Sequence, residues 1–155
     1  MNRFAVTGSL LAFALGGIIS GSNACGPRAD DKEALKHLQG HYIVIALSKD
    51  GKDAPEDFRK EMTLTITGDE LTFTIKDKAF PAKITKIDPK AKLPMIDIAP
   101  SDGPEKGKTF PGVYTYKDGE LTLAFTEKGE RPKDFTGEGD ATVMKLKKVK
   151  KKDDK

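Results

Sequence analysis

Apolar and polar residues alternate most strictly between residues 62 and 76. Met62, Leu64 and Ile66 alternate with Thr63, Thr65 and Thr67, and Leu71, Phe73 and Ile75 alternate with Thr72, Thr74 and Lys76. A period of two predicts strands with one buried and one wet face. Threonine suits the wet face because its branched Cβ favours the strand while the hydroxyl stays hydrated. Gly68-Asp69 between the two runs predicts a tight hairpin. A second hairpin is predicted from Gly112–Tyr116 and Leu121–Phe125, with Asp118-Gly119 as its turn. Tyr42–Leu47 is a strand-forming run that is apolar on both faces, so part of its outer face is expected to be covered.

Ala79–Ile87 is less regular, and its Pro81 predicts a sheet edge or the start of a strand. Met95–Ile98 and Ala141–Val149 supply two further strands, the latter after a long loop at Glu127–Asp140. Alternation puts Asp97 on the wet face. Ahead of the strands, Asp30 or Asp31 is expected to cap a helix through Glu33–Leu38 that Gly40 ends, with Leu35 and Leu38 facing the domain. A further helical turn is predicted at Ala54–Arg59, with Pro55 near its start. The predicted fold class is all-β: about eight short antiparallel strands joined by short turns and preceded by one short helix. A small closed or nearly closed barrel is favoured because closure removes exposed edges. A two-sheet sandwich is the alternative.

The chain begins with a different pattern. Asn2-Arg3 is weakly basic, Phe4–Ile19 is uncharged and mostly apolar, and Ser20–Ala24 is small and polar. This is the order of a secretory signal peptide, and the apolar run falls short of the roughly 20 residues of a membrane-spanning helix. Cys25, the only cysteine, stands where the signal would be cut. Ser22-Asn23-Ala24 suits ordinary signal peptidase, whereas Cys25 flanked by Ala24 and Gly26 suits the acylated cysteine of a bacterial lipoprotein. A single cysteine leaves no partner for an internal disulfide. The expected organisation is a signal peptide at 1–24, a tether at 25–30, the barrel domain at 31–149 and a basic tail at 150–155. The expected location is outside the cytoplasm: periplasmic, anchored to the membrane by lipid on Cys25, or secreted.

Charge argues against a nucleic-acid partner. The 155-residue chain carries a formal +3, but Lys145–Lys155 holds seven Lys and two Asp. Residues 25–144 therefore hold 19 basic and 22 acidic residues, a slightly acidic body ahead of a solvated basic end.

Five segments carry a family resemblance. They are Leu38-Gln39-Gly40-His41-Tyr42; Ser101–Thr109 with its Asp102-Gly103-Pro104 and Lys106-Gly107-Lys108; Gly112-Val113-Tyr114; Asp118–Phe125; and Glu130-Arg131-Pro132-Lys133-Asp134-Phe135. In order and spacing the chain resembles a small, exported, lipocalin-like domain family expanded in planctomycete bacteria, for which no activity is established. The resemblance spans roughly Leu35 to Lys148. It implies a lipocalin-like barrel in which a first-strand aromatic closes the floor beneath a late-chain arginine. Tyr42 stands where that family usually has Trp, and Arg131 is the implied partner. Fold resemblance alone assigns no role.

Little in the chain points to catalysis. His37 and His41 are four apart, but Gly40 interrupts the helix that would align them, and no third ligand completes a metal site. There is no Gly-x-Ser-x-Gly elbow, and Gly107-Lys108-Thr109 leads into a strand rather than a helix. No cofactor and no enzymatic activity are expected, and the domain is expected to be a monomer. Phe73, Tyr114, Tyr116 and Phe125 project to one side and are the candidate lining of a pocket for a small apolar ligand, unless they simply fill the core. Two functions remain open at this point. One is a binding module for a small apolar molecule. The other is an envelope structural or interaction domain with a filled core, meeting a protein or cell-surface partner through loops such as Pro100–Pro111 and Glu127–Asp140.

Overall fold

The computed structural model describes residues 29–150; the signal segment, Cys25 and the tail beyond Lys150 lie outside the described residues. Helix α1 (Ala29–Leu38) leads into β1 (Gly40–Lys49), the two-residue strand β2 (Lys52–Asp53) and the short helix α2 (Glu56–Lys60). Then follow β3 (Met62–Thr67), β4 (Glu70–Ile75), β5 (Lys78–Asp88), β6 (Met95–Pro100), β7 (Phe110–Lys117), β8 (Glu120–Thr126) and β9 (Ala141–Val149). From β3 to β9 every strand pairs antiparallel with the next; β1 pairs with β3 on one side and with β9 on the other. The result is a closed, eight-stranded up-and-down barrel, with β2 appended to the end of β1. Closure excludes the sandwich and leaves no free edge in the barrel wall.

Two bulges explain the runs that do not alternate cleanly. The β1–β9 register shifts between Val44 and Ala46, so Val44 and Leu47, three residues apart, both face inward opposite Leu146 and Met144. The β5–β6 register shifts between Ile84 and Lys86, so Ile84 and Ile87 both reach the core. An extra residue in one strand turns the inward positions from every second to every third and bends the strand, which helps a small barrel close. Outside the β1 bulge, Ile43 and Ile45 stay 41% and 38% exposed. The cover expected for this face is therefore partial, supplied by α2, whose Arg59 guanidinium donates to the Ile45 carbonyl.

Pro81 sits in an inner strand rather than at an edge, a correction to the sequence reading. Its carbonyl accepts from the Ser101 amide, one residue beyond the last β5–β6 pair, Ala82 with Pro100. The missing proline N–H thus falls where the β5–β6 ladder ends, so no interior bond is lost.

The end of the barrel at the start of β1 is closed. The helix begins at Ala29, so Asp30 and Asp31 lie within its first turn, where negative charge suits the dipole, rather than capping it from outside. Ala34, Leu35 and Leu38 pack onto the core. Leu38, Tyr42, Leu64, Leu71, Leu121, Leu123 and Leu146 are all within 1% of full burial. Each such leucine stabilises the fold by about 2 kcal/mol relative to an exposed one. The Tyr42 hydroxyl donates to the Leu38 carbonyl at 2.6 Å, tying strand to helix. Gly40 adopts φ +143°, and a Cβ there would lie 2.6 Å from Lys148 Cε.

Burial, with a smaller contribution from Tyr116, holds the Tyr42 phenol well above its ordinary pKa. Burial, aided by Asp88 and Asp31, pushes Tyr114 up to about 12. A raised pKa means that the folded state keeps a proton which the unfolded chain gives up above about pH 10, so this stability is intact below pH 10 and is lost as pH rises toward 12. Thermal unfolding measured across alkaline pH should show Tm falling from about pH 10 upward. Tyr114→Phe, which retains the ring, should flatten that fall and leave Tm at neutral pH nearly unchanged. An identical slope in the variant would contradict the assignment.

Candidate functional site: an apolar barrel mouth

The opposite end of the barrel is open. The ends of β1, β4 and β8 and the starts of β3, β5 and β9 surround a concavity of about 540 Å³. Phe73 and Phe80 form a directly opposed cross-strand pair on one wall, with Ile75 beside them. Phe125 stands on the other wall, its ring stacked on Phe110 with centroids 6.4 Å apart. Leu47, Met62 and Met144 form the base, above the filled core. The β2 and α2 segment overhangs one side: the Ala54 amide donates to the Leu47 carbonyl, and Phe58 is brought to the lip.

Two phenylalanines here are unusually exposed, Phe58 at 40% and Phe80 at 49%. Large aromatic surface left wet at the rim of a concavity is the usual mark of a binding site. Charge is confined to one sector, where Lys49 and Glu127 form an ion pair at 3.0 Å next to Lys52 and Asp53.

Two other concavities have different chemistry. A groove of about 890 Å³ between α1 and β5 is lined by charge, including the ion pairs Asp30–Lys90 and Asp69–Lys83. A cleft of about 310 Å³ lies within the loop between β8 and β9. Among the described residues, no three His, Cys, Asp or Glu side chains lie together as metal ligands. His37 and His41 fall in different elements, α1 and β1, and His41 Nδ1 lies 2.9 Å from the Thr65 hydroxyl.

All four candidate aromatics pack with the interior cluster, but they divide between the ends. Phe73 and Phe125 line the mouth. Tyr114 is buried in the core, and Tyr116 lies toward the closed end with Lys148 Nζ 5.9 Å from its ring centroid. The same ammonium lies 6.0 Å from the Tyr42 ring centroid. The cation over the floor aromatic is therefore Lys148 of the last strand, and the implied Tyr42–Arg131 pair is not formed.

Arg131 lies at the other end, in the loop after β8. Its Nη1 donates to the Gly112 carbonyl at 2.6 Å, and its Nη2 sits 2.6 Å from Asp97 Oδ1. Asp97 faces outward, as alternation requires, but it is not wet: its side chain is only 14% exposed beneath Arg131. Phe135 of the same loop, with Leu93, covers a row of Val113, Ala124 and Val143 that crosses β7, β8 and β9 on the outer wall. The loop at 127–140 is thus fastened to the barrel through Arg131 and Phe135.

The sequence reading missed Phe58, Phe80 and Thr142. Phe80 stands beside a proline in the least regular strand, and Phe58 in a single helical turn, so neither belonged to a periodic run. No protein-family model, curated protein or solved structure matches the chain. The geometry of the barrel mouth is therefore the basis for a functional reading.

Proposed function

We propose that this is an exported, non-enzymatic, lipocalin-like binding domain that holds a small apolar molecule in its open mouth. The observation that carries the reading is the wet Phe58–Phe80 lip over a 540 Å³ apolar concavity. The volume falls within the range of small-molecule sites, roughly 300–1,000 Å³. The closed end and dense core below hold the lining side chains in place, so little ordering is needed on binding. The family resemblance and the signal-like start support export. Carriage of a ligand outside the cytoplasm fits a domain whose only cysteine stands at the expected cleavage point.

Phe80→Ser tests the reading. Phe80 is half exposed but faces Phe73 across the strands, so the change should cost about 1 kcal/mol and leave the barrel folded. Affinity for naphthalene, followed by its fluorescence, should fall about fivefold through lost apolar contact. Ile43→Ser removes a comparably exposed apolar side chain from the outer wall and should leave that affinity unchanged. Equal losses in both variants would place binding on the general surface and sink the proposal.

A further inference from the structure

Two polar residues among the described ones are more than nine-tenths buried: Thr126 and Thr142. The Thr126 hydroxyl donates to the Glu130 carbonyl at 3.0 Å. The Thr142 hydroxyl has no hydrogen-bond partner among the described residues, although the residue is only 8% exposed. Thr142 lines the mouth, opposite Phe125 on β8 and Lys49 on β1. The buried unpartnered side-chain atoms among the described residues are Arg59 Nε and Asp97 Oδ1, so the Thr142 hydroxyl keeps contact with the solvent of the mouth, where a ligand atom can take the place of water.

The mouth is also divided by polarity. Thr142 shares its sector with Lys49, Glu127, Lys52 and Asp53, while the facing wall is built from Phe73 and Phe80. The charged sector contains two cations and two anions, with Lys49 already matched to Glu127 at 3.0 Å. It therefore has hydrogen-bonding capacity but no surplus charge to offset an ionised group. With two cations and two anions the sector carries no net charge, so a carboxylate or ammonium gains no net attraction there to set against its desolvation.

From this juxtaposition we infer that the ligand is an uncharged amphiphile. Its flat or short-chain apolar body rests on the Phe73–Phe80 wall, and a single polar end, a hydroxyl, amide or ester, hydrogen-bonds to Thr142. This deepens the mouth-binding proposal and rests on it.

Three probes of nearly one shape test it on the full chain by titration calorimetry: naphthalene, naphthol and naphthoate. Naphthol should bind about fivefold more tightly than naphthalene, the effect of one hydrogen bond. Naphthoate should bind more weakly than naphthol. Thr142→Val, close in shape but without the hydroxyl, should reduce naphthol to the naphthalene level while naphthalene binding persists, and that persistence reports an intact mouth. Thr142→Ser should retain the preference. Equal wild-type affinity for naphthol and naphthalene would overturn the Thr142 contact yet leave the mouth as an apolar site. Naphthoate as the tightest ligand would overturn the uncharged class. Failure of all three probes to bind would overturn the mouth reading itself.

Discussion

Gly112→Ala is expected to destabilise the barrel by about 3 kcal/mol, at the upper end of overpacking effects. Gly112 pairs with Ile96 on β6 and Phe125 on β8. A Cβ there would meet the Ala124 carbonyl oxygen at 2.8 Å and the Ile96 carbonyl oxygen at 3.1 Å. Both obstacles are backbone, so a rotamer change relieves neither; the two flanking strands would have to move apart. The same shift would disturb the Gly112 carbonyl that accepts from Arg131. Chemical denaturation would measure the loss. Gly68→Ala is an informative comparison, because no atom lies within 4 Å of its added Cβ and only its φ of +62° opposes the change. Its expected cost is about 1 kcal/mol. Equal costs at the two positions would mean that close strand approach is not what requires Gly112.

Arg131→Ala is expected to cost about 2 kcal/mol, for a reason unrelated to the barrel floor. It leaves Asp97 with a buried Oδ1 whose only counter-charge is gone. It also removes the hydrogen bond from the β8–β9 loop to β7. Removing one member of a fully buried pair costs roughly 3–5 kcal/mol, and the partial exposure of this pair, 26% and 14%, reduces that through solvent screening. Adding Asp97→Asn should restore about 1 kcal/mol by removing the stranded charge. A thermal unfolding cycle over the four proteins would measure this. Additive losses would mean that the two side chains do not interact. An unchanged Tm in Arg131→Ala would mean that Arg131 does not help to fasten the loop, leaving that to Phe135.

These cases mark what the chain revealed of its fold. Strict alternation in β3 and β4 and the Asp118-Gly119 turn located strands and hairpins well, because a half-buried strand with a tight turn writes its structure locally. The positive φ of Asp118 and Gly119 is what that turn demands. Bulges blurred the pattern where it failed: Val44 with Leu47 and Ile84 with Ile87 follow neither a strand nor a helix period. Ring closure was an inference from edge protection, since no local signal announces that the last strand meets the first.

The site was half legible. Inward-facing aromatics were readable from alternation, but which end each one reached depended on strand stagger and on the β1–β9 closure. Asp97 was read as wet because alternation gives the face of a residue and not the loop that covers it. Lys148 takes the place over Tyr42 that was expected of Arg131, because both are late-chain cations and only the register of β9 places Lys148 opposite Tyr42.

The most direct test of the mouth as binding site is to follow backbone amide resonances while naphthalene is titrated into the full chain. The account predicts saturable shifts grouped at Leu47, Phe58, Phe73, Phe80, Phe125 and Thr142, with His41, Ile43 and Lys148 undisturbed. Shifts grouped on the outer face of β1, or no saturable shift anywhere, would contradict it.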